Sequence, residues 1–106
     1  MHPVKRIEII VSSMELPKIT QALDKAGVPG YSVIKDVVGK SDLGTVSDDF
    51  DLAASTLSNI YILSYCPPDI IKQVVEIIRP VLNKYGGACY ISEAMEVRSI
   101  KCVAKL

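Results

Sequence analysis

The residue types that perform acid-base or nucleophilic chemistry are few in this chain and poorly placed for it. Its one histidine, His2, stands at a terminus that we expect to fray, which argues against a metal site or a histidine-activated nucleophile. Glu93 and Glu96 have odd spacing on a predicted strand, so they point to opposite faces and do not form a carboxylate pair for general acid-base catalysis. We therefore predict that the chain is not an enzyme.

The three cysteines indicate a reduced, structural role. Cys66, Cys89 and Cys102 are odd in number, follow no C-x-x-C spacing and lie within apolar runs. Such thiols are typical of the core of a cytosolic protein. Cys89 would be reactive if the Gly86-Gly87 turn exposed it, but a buried strand cysteine is the favoured interpretation. The N-terminal residues resemble neither a signal peptide nor a membrane span, so the predicted location is the cytoplasm.

An acidic segment from Gly39 to about Thr56 holds a second group of chemically useful side chains. It shows no sustained periodicity, and connections of this length are usually functional or disordered. The segment contains one lysine and four aspartates, which are Asp42, Asp48, Asp49 and Asp51. These carboxylates suit a basic partner surface or a divalent cation. We predict a loop that a partner or ligand orders, and the alternative is a solvated loop without a fixed role. Its predicted partner contacts are Asp42, Asp48, Asp49 and Phe50.

Length and charge limit the classes of function. A chain of 106 residues with 49% hydrophobic residues can bury the core of one domain, which we place at residues 1–106. Twelve Lys and Arg balance twelve Asp and Glu, so no global field draws the protein onto nucleic acid or anionic lipid. Neither nucleic-acid binding nor membrane insertion is predicted.

Hydrophobic periodicity predicts two β-α-β halves. The four expected strands are Val4 to Val11, Tyr31 to Val38, Ile60 to Tyr65 and Ala88 to Val97. The first helix follows a cap at Ser12 or Ser13 and stops at Gly27, and the second should kink or end its regular part at Pro80. This order predicts an α+β, ferredoxin-like fold, with a four-stranded antiparallel sheet and two helices on one face.

Two helices cover only one face of such a sheet, and the other face carries apolar groups. The third strand places Ile60 and Ile62 on one face and Tyr61 and Leu63 on the other. Burial of the open face in a homo-oligomer is the simplest solution. Tyrosines on a sheet can also stack on bases, but neutral charge favours packing for Tyr61, Tyr65 and Tyr90.

Several short motifs resemble the PII superfamily of signalling proteins. Gly30-Tyr31-Ser32-Val33 is similar to the family's Gly-x-Thr-Val strand start, and Val37-Val38-Gly39-Lys40 leads into the long segment as it does before the family's mobile T-loop. The stretch from Leu23 to Gly30 matches the end of the family's first helix. The resemblance spans most of the chain and implies a homotrimer with nucleotides in clefts between subunits.

By position, the resemblance implies a nucleotide site with two sides. Ser32, Val38, Gly39 and Lys40 lie on one side, and Gly86, Gly87 and Ala88 lie on the other, with Arg98 after the fourth strand. Glycines allow close approach of the backbone to a phosphate, and a lysine adds a point charge. The implied effector is an adenine nucleotide: ATP, ADP, AMP or cyclic AMP. The implied partner is a membrane transporter or a metabolic enzyme that the loop regulates.

Departures from the family pattern indicate a divergent member. Typical PII proteins have Gly-Asp-Gly-Lys before the fourth strand, where this chain has Gly86-Gly87-Ala88-Cys89, and an Arg-x-Arg pair after it, where this chain has Arg98 and Lys101. The modified T-loop tyrosine has no counterpart between Gly39 and Thr56. The chain looks closer to PII-like proteins linked to bicarbonate transport and carbon metabolism. The alternatives are a metal-binding or structural trimer of the divalent-cation tolerance type and a regulatory domain that senses a small metabolite.

Overall fold

The computed structural model describes residues 1–38, 40–41, 44–45 and 58–99 of the chain. The elements in chain order are β1 His2–Ser12, α1 Leu16–Ala26, β2 Tyr31–Val37, β3 Lys40–Ser41, β4 Gly44–Thr45, β5 Asn59–Cys66, α2 Ile71–Tyr85 and β6 Ala88–Glu96. Short 3-10 turns, Ser13–Glu15 and Pro68–Ile70, precede the two α-helices. In the described residues, neither helix combines the length and the apolar character that a membrane crossing requires.

The main sheet has four antiparallel strands in the order β2-β5-β1-β6. The central strand β1 pairs with β5 on one side and with β6 on the other, so both β-α-β halves interleave in one sheet. This arrangement is the predicted ferredoxin-like fold. It brings the start of β1 beside the end of β6, with His2 opposite Glu96.

The core lies between one face of the sheet and the two helices. The sheet contributes Ile7, Ile9, Val11, Ile60 and Ile62, and the helices contribute Ile19, Leu23, Val74 and Ile78. These positions follow the period of two in strands and the i, i+3, i+4 spacing in helices. Burial of such side chains is the main favourable contribution to folding.

Helix α1 follows a capped 3-10 turn and ends at a glycine. Ser12 accepts a hydrogen bond from the Met14 amide at 3.3 Å, and Pro17 occupies the first turn of the helix. Gly27 ends the helix with φ of 84°, in the left-handed region, and its amide donates to Asp24 O at 3.1 Å. The predicted stop at Gly27 is confirmed. The Ser12 cap belongs to the 3-10 turn Ser13–Glu15, and α1 itself begins at Leu16 without a side-chain cap.

Of the two effects predicted for Pro80, a kink or an end of the regular helix, the end is wrong. Helix α2 continues through Pro80 to Tyr85. A proline removes one backbone hydrogen bond and crowds the preceding turn. Here the ring is on the exposed side, while Val81 and Leu82 beyond it pack against the core. Packing on the apolar face therefore holds the helix together across the proline.

A β-bulge near the end of β2 is a feature that alternation did not reveal. Ile34 pairs with Tyr61 and Val37 pairs with Asn59, so β2 has one residue more than β5 between the two pairs. Asp36, in this bulge, has φ of 60°, which is uncommon outside glycine. The bulge places Ile34 and Val37 on the same face and redirects the chain toward the acidic segment.

The acidic segment begins with a short hairpin. Lys40 pairs with Thr45 and Ser41 pairs with Gly44 across the strands β3 and β4. Four predicted partner contacts, Asp42, Asp48, Asp49 and Phe50, lie outside the described residues, as does the predicted nucleotide contact Gly39.

Candidate functional site

A cleft of about 560 Å³ opens at the end of the sheet where β1 begins and β5 ends. Its lining includes Gly30 and Ser32 at the start of β2, Leu63 and Tyr65 at the end of β5, and His2, Glu96 and Arg98 at the opposite side. Ligand sites of small molecules commonly have volumes of about 300–1,000 Å³. This size admits a nucleoside or a nucleotide. We call this cavity the β1-end cleft.

One wall of the β1-end cleft is held by a buried hydroxyl. Ser64 is 2% exposed, and its Oγ donates to the carbonyl oxygen of Gly30 at 2.6 Å. Gly30 itself has no positive φ, and an added Cβ would meet no atom within 4 Å. The backbone therefore does not require a glycine at this position, and the missing side chain leaves open space at the mouth of the cleft.

Aromatic surfaces form part of the same lining. Tyr65 is 44% exposed and Tyr31 is 37% exposed, and both line the β1-end cleft. An exposed aromatic side chain beside polar groups can pack on a planar ligand while its hydroxyl stays hydrated. The sequence had favoured packing over stacking for Tyr65, and its exposure leaves its ring available to a ligand or a neighbouring subunit.

Three charged or titratable side chains meet at one carboxylate oxygen. Glu96 Oε1 accepts from Arg98 Nε at 2.8 Å and lies 2.7 Å from His2 Nε2. The hydrogen bond from Arg98 lowers the pKa of Glu96, and the contact with His2 lowers it further. The expectation that His2 frays is wrong, because strand β1 begins at His2 and the side chain is tied to β6.

The face of the sheet away from the helices carries a second polar group. The Tyr61 hydroxyl donates to Glu8 Oε2 at 2.6 Å, and Arg6 Nε donates to Ser92 Oγ at 3.1 Å. The hydrogen bond to Glu8 raises the pKa of Tyr61, because ionising the phenol would place two negative charges together. Around this group Ile34 and Tyr90 are 55% and 60% exposed. Neither helix covers this face, as the sequence predicted.

The predicted nucleotide residues divide between the two ends of the sheet. Ser32 and Arg98 both line the β1-end cleft. Val38 follows β2, six residues from Ser32 and therefore about 20 Å away along an extended strand. The backbone of Lys40 lies in strand β3, beyond Val38.

The glycine turn lies on yet another edge. Gly86 and Gly87 precede β6, which begins at Ala88 and lies three strand spacings, or about 14 Å, from β2. One chain therefore does not bring the two sides of the implied site together. The assignment of these residues to one nucleotide site stays a prediction.

Backbone geometry gives the two glycines of that turn different requirements. Gly86 has φ of 85° and open space where a Cβ would stand. Gly87 has φ of 113°, and its Cβ would fall 2.5 Å from Val11 Cγ1 and 2.8 Å from Ile10 O. Gly87 thus allows the turn to pack against the end of β1, and this packing requires a glycine whether or not the turn also binds a ligand.

We expect the thiols of Cys66 and Cys89 to resist alkylation in the folded protein. Cys66 is 1% exposed, and burial raises the pKa of Cys89 to about 11. At pH 8 such a thiol has about one part in a thousand of the reactive thiolate. Iodoacetamide treatment at pH 8 followed by mass spectrometry should find both cysteines unmodified in native protein and modified in urea. Rapid labelling of native Cys89 would contradict the raised pKa that we attribute to its partial burial.

The family model described as nitrogen regulatory protein P-II matches residues 4–101. The chain belongs to the P-II family. No curated protein matches the sequence of this P-II family member.

Solved structures support the same conclusion. CPII, a nitrogen regulatory PII-like protein from Thiomonas intermedia K12, was solved with ADP, AMP and bicarbonate; it is 25% identical, with a TM-score of 0.80 over 94% of this chain and 93% of that chain. Its apo form is 26% identical, with a TM-score of 0.75 over 92% and 96% of the two chains. A PII-like signalling candidate from Thermus thermophilus is 16% identical, with a TM-score of 0.69 over 94% and 95%, and shares the fold. The predicted divergent PII-like family is confirmed.

Sequence reasoning missed two residues of the β1-end cleft that the fold brings beside Arg98. The sequence places Glu96 near Glu93 and His2 at a terminus, and it assigns neither residue to a binding site. One signal was available for Glu96, because Glu96 and Arg98 are two residues apart and an extended chain places them on one side. Nothing local predicts His2, which reaches the cleft through the pairing of β1 with β6.

Proposed function

We propose that this P-II family member is a cytoplasmic signalling protein that binds an adenine nucleotide in a cleft between subunits of a homotrimer. In this proposal the segment from residue 39 to 56 contacts and regulates a membrane transporter or a metabolic enzyme. The observation that carries the proposal is the β1-end cleft, in which the family-matched Ser32 and the cation Arg98 share one cavity. The relatives add support, because CPII was solved with ADP and AMP.

The chemistry of the β1-end cleft suits a nucleotide. Tyr65 offers an aromatic face for the adenine base, and the Gly30 carbonyl and the Ser32 hydroxyl offer polar groups at its edge. Arg98 provides a guanidinium for a phosphate, which arginine binds with charge-assisted hydrogen bonds. Adenine against β2 and β5, with a phosphate toward Arg98, is the orientation we propose.

A neighbouring subunit completes the site in this proposal. The Gly86-Gly87 turn is about 14 Å across the sheet from β2, so we assign the contact with a nucleotide held by β2 to the same turn of another chain. The uncovered face of the sheet, with Ile34 and Tyr90 exposed, supports association, because large apolar groups gain from burial between copies. Nucleotide binding and trimer formation are therefore expected to be coupled.

Calorimetric titration with ATP, ADP, AMP and cyclic AMP tests the proposed function. We expect saturable heat with ADP and one site per chain, and light scattering should give the mass of three chains of 11.5 kDa. Gly30→Val adds bulk in the lining of the cleft at a position where a Cβ meets no atom within 4 Å, so it should weaken binding strongly. Lys72→Ala, on the exposed face of α2, is the control and should bind as the wild type does. No heat from a folded trimer with any of the four nucleotides would sink the proposal.

A further inference from the structure

The carboxylate of Glu96 is shared between two possible cations at the wall of the β1-end cleft. Its Oε1 contacts Arg98 Nε at 2.8 Å and His2 Nε2 at 2.7 Å. Because Arg98 uses Nε for this contact, its two terminal amino groups are not consumed by it. Glu96 therefore anchors the arginine and at the same time offsets its positive charge.

The charge of this group depends on the histidine. With neutral imidazole, the charges of Arg98 and Glu96 cancel. With imidazolium, the same three side chains carry one net positive charge. Histidine is the side chain whose charge ordinarily changes between about pH 5 and pH 8. The pKa of Glu96 is lowered by its two partners, so this carboxylate stays ionised through that range.

Other titratable groups lie at or beside the cleft, and all of them are unchanged in a His2→Gln variant. The remaining titratable groups in its lining are the phenols of Tyr31 and Tyr65 and the thiol of Cys66. Burial raises the pKa of the Cys66 thiol. The N-terminal amine of Met1 adjoins His2 in sequence. The Lys5–Glu93 pair, at 2.9 Å, belongs to the other face of the sheet, since its positions alternate with those of His2 and Glu96.

We infer that His2 and Glu96 regulate how strongly the β1-end cleft binds a phosphate group, so that affinity for a nucleotide rises as pH falls. Glu96 limits the attraction of Arg98 for phosphate. A protonated His2 takes up part of the Glu96 charge and leaves more of the Arg98 charge for the ligand. This inference rests on the proposed nucleotide site and adds a proton as its regulator.

The ligand pair ADP and adenosine separates phosphate recognition from base recognition. Calorimetry at about pH 6 and about pH 8 should be carried out on the wild type, on His2→Gln and on Glu96→Gln. Because ADP has its own titration in this range, the informative quantity is the difference between wild type and His2→Gln with the same ligand. That difference cancels the change in ligand charge.

We expect wild type to gain about two- to fivefold in ADP affinity from pH 8 to pH 6 relative to His2→Gln, the size typical of a partly exposed charge pair. Glu96→Gln keeps an oxygen acceptor for Arg98 but removes the negative charge, so it should tighten ADP binding at pH 8 by a similar factor. Adenosine affinity should be the same in all three proteins and at both pH values.

The possible results separate this inference from the function beneath it. If wild type binds ADP but has the same pH dependence as His2→Gln, the regulatory inference is overturned and the proposed function stands. Weaker ADP binding by Glu96→Gln at pH 8 also overturns it, because Glu96 would then act only by positioning Arg98. If folded wild type binds neither ligand, the proposed function fails and takes the inference with it.

Discussion

Gly87→Ala should destabilise the folded protein by about 3–5 kcal/mol, the largest loss we expect from adding a single methyl group. Two costs combine at this position. The backbone has φ of 113°, which L side chains rarely adopt, and the new Cβ would stand 2.5 Å from Val11 Cγ1 and 2.8 Å from Ile10 O. The second contact is with backbone of the central strand, which has no rotamer through which to move away. Urea unfolding followed by circular dichroism measures the change.

Two neighbouring glycine variants provide matched controls. Gly86→Ala carries the strain of φ at 85° but meets no atom, so about 1–2 kcal/mol is expected. Gly30→Ala has neither a positive φ nor a contact and should change stability little. If Gly87→Ala costs no more than Gly86→Ala, the end of β1 relaxes around the methyl group and the clash is not decisive.

The stability losses expected for the two glycine variants determine which of them can test whether the turn binds a nucleotide. A loss of ADP binding in Gly87→Ala could reflect unfolding alone, whereas Gly86→Ala keeps more of the stability and the same turn. Gly86 is therefore the better position at which to test phosphate contact by the backbone. The family resemblance treats both glycines alike, and only the packing against Val11 separates them.

Local patterns predicted most of the elements, because each depends on a few adjacent residues. The alternation in Val4 to Val11, the proline at position 17 and the glycine at position 27 were sufficient for β1 and α1. The predicted end of the helix at Pro80 is wrong because the effect of this proline depends on how the residues after it in α2 pack against the core, which adjacent residues do not reveal. The bulge at Asp36 was also missed, because an extra residue in a strand is visible only against its partner β5.

The residues of the β1-end cleft were also only partly predictable from local sequence. Ser32 and Arg98 came from the family resemblance, and the structure places both in this cavity. His2 and Glu96 are opposite each other only because β1 and β6 pair in a particular register. Register follows from the burial of whole strands, so no short motif records it. Residues that a second chain would add to the site depend on an interface, which is one step further from the sequence.

Arg98→Ala should weaken ADP binding by about 10- to 100-fold, which corresponds to the loss of charge-assisted hydrogen bonds to a phosphate. The guanidinium lies at the wall of the β1-end cleft and is anchored through Nε by Glu96 at 2.8 Å. Its terminal amino groups are the donors that we assign to the ligand. Adenosine lacks the phosphate, so its affinity should change little. Calorimetry with both ligands measures the ratio.

Stability should not confuse this result, because the side chain of Arg98 is 42% exposed and an exposed ion pair contributes about 1 kcal/mol or less. Arg79→Ala removes an arginine from the exposed face of α2 and controls for the change in net charge. Arg98→Lys keeps the charge without the planar fork and should lie between wild type and alanine. An equal loss of ADP and adenosine would place Arg98 beside the base. No loss for either ligand would leave phosphate binding to the glycine turn of a neighbouring subunit, where backbone amides alone would hold the charge.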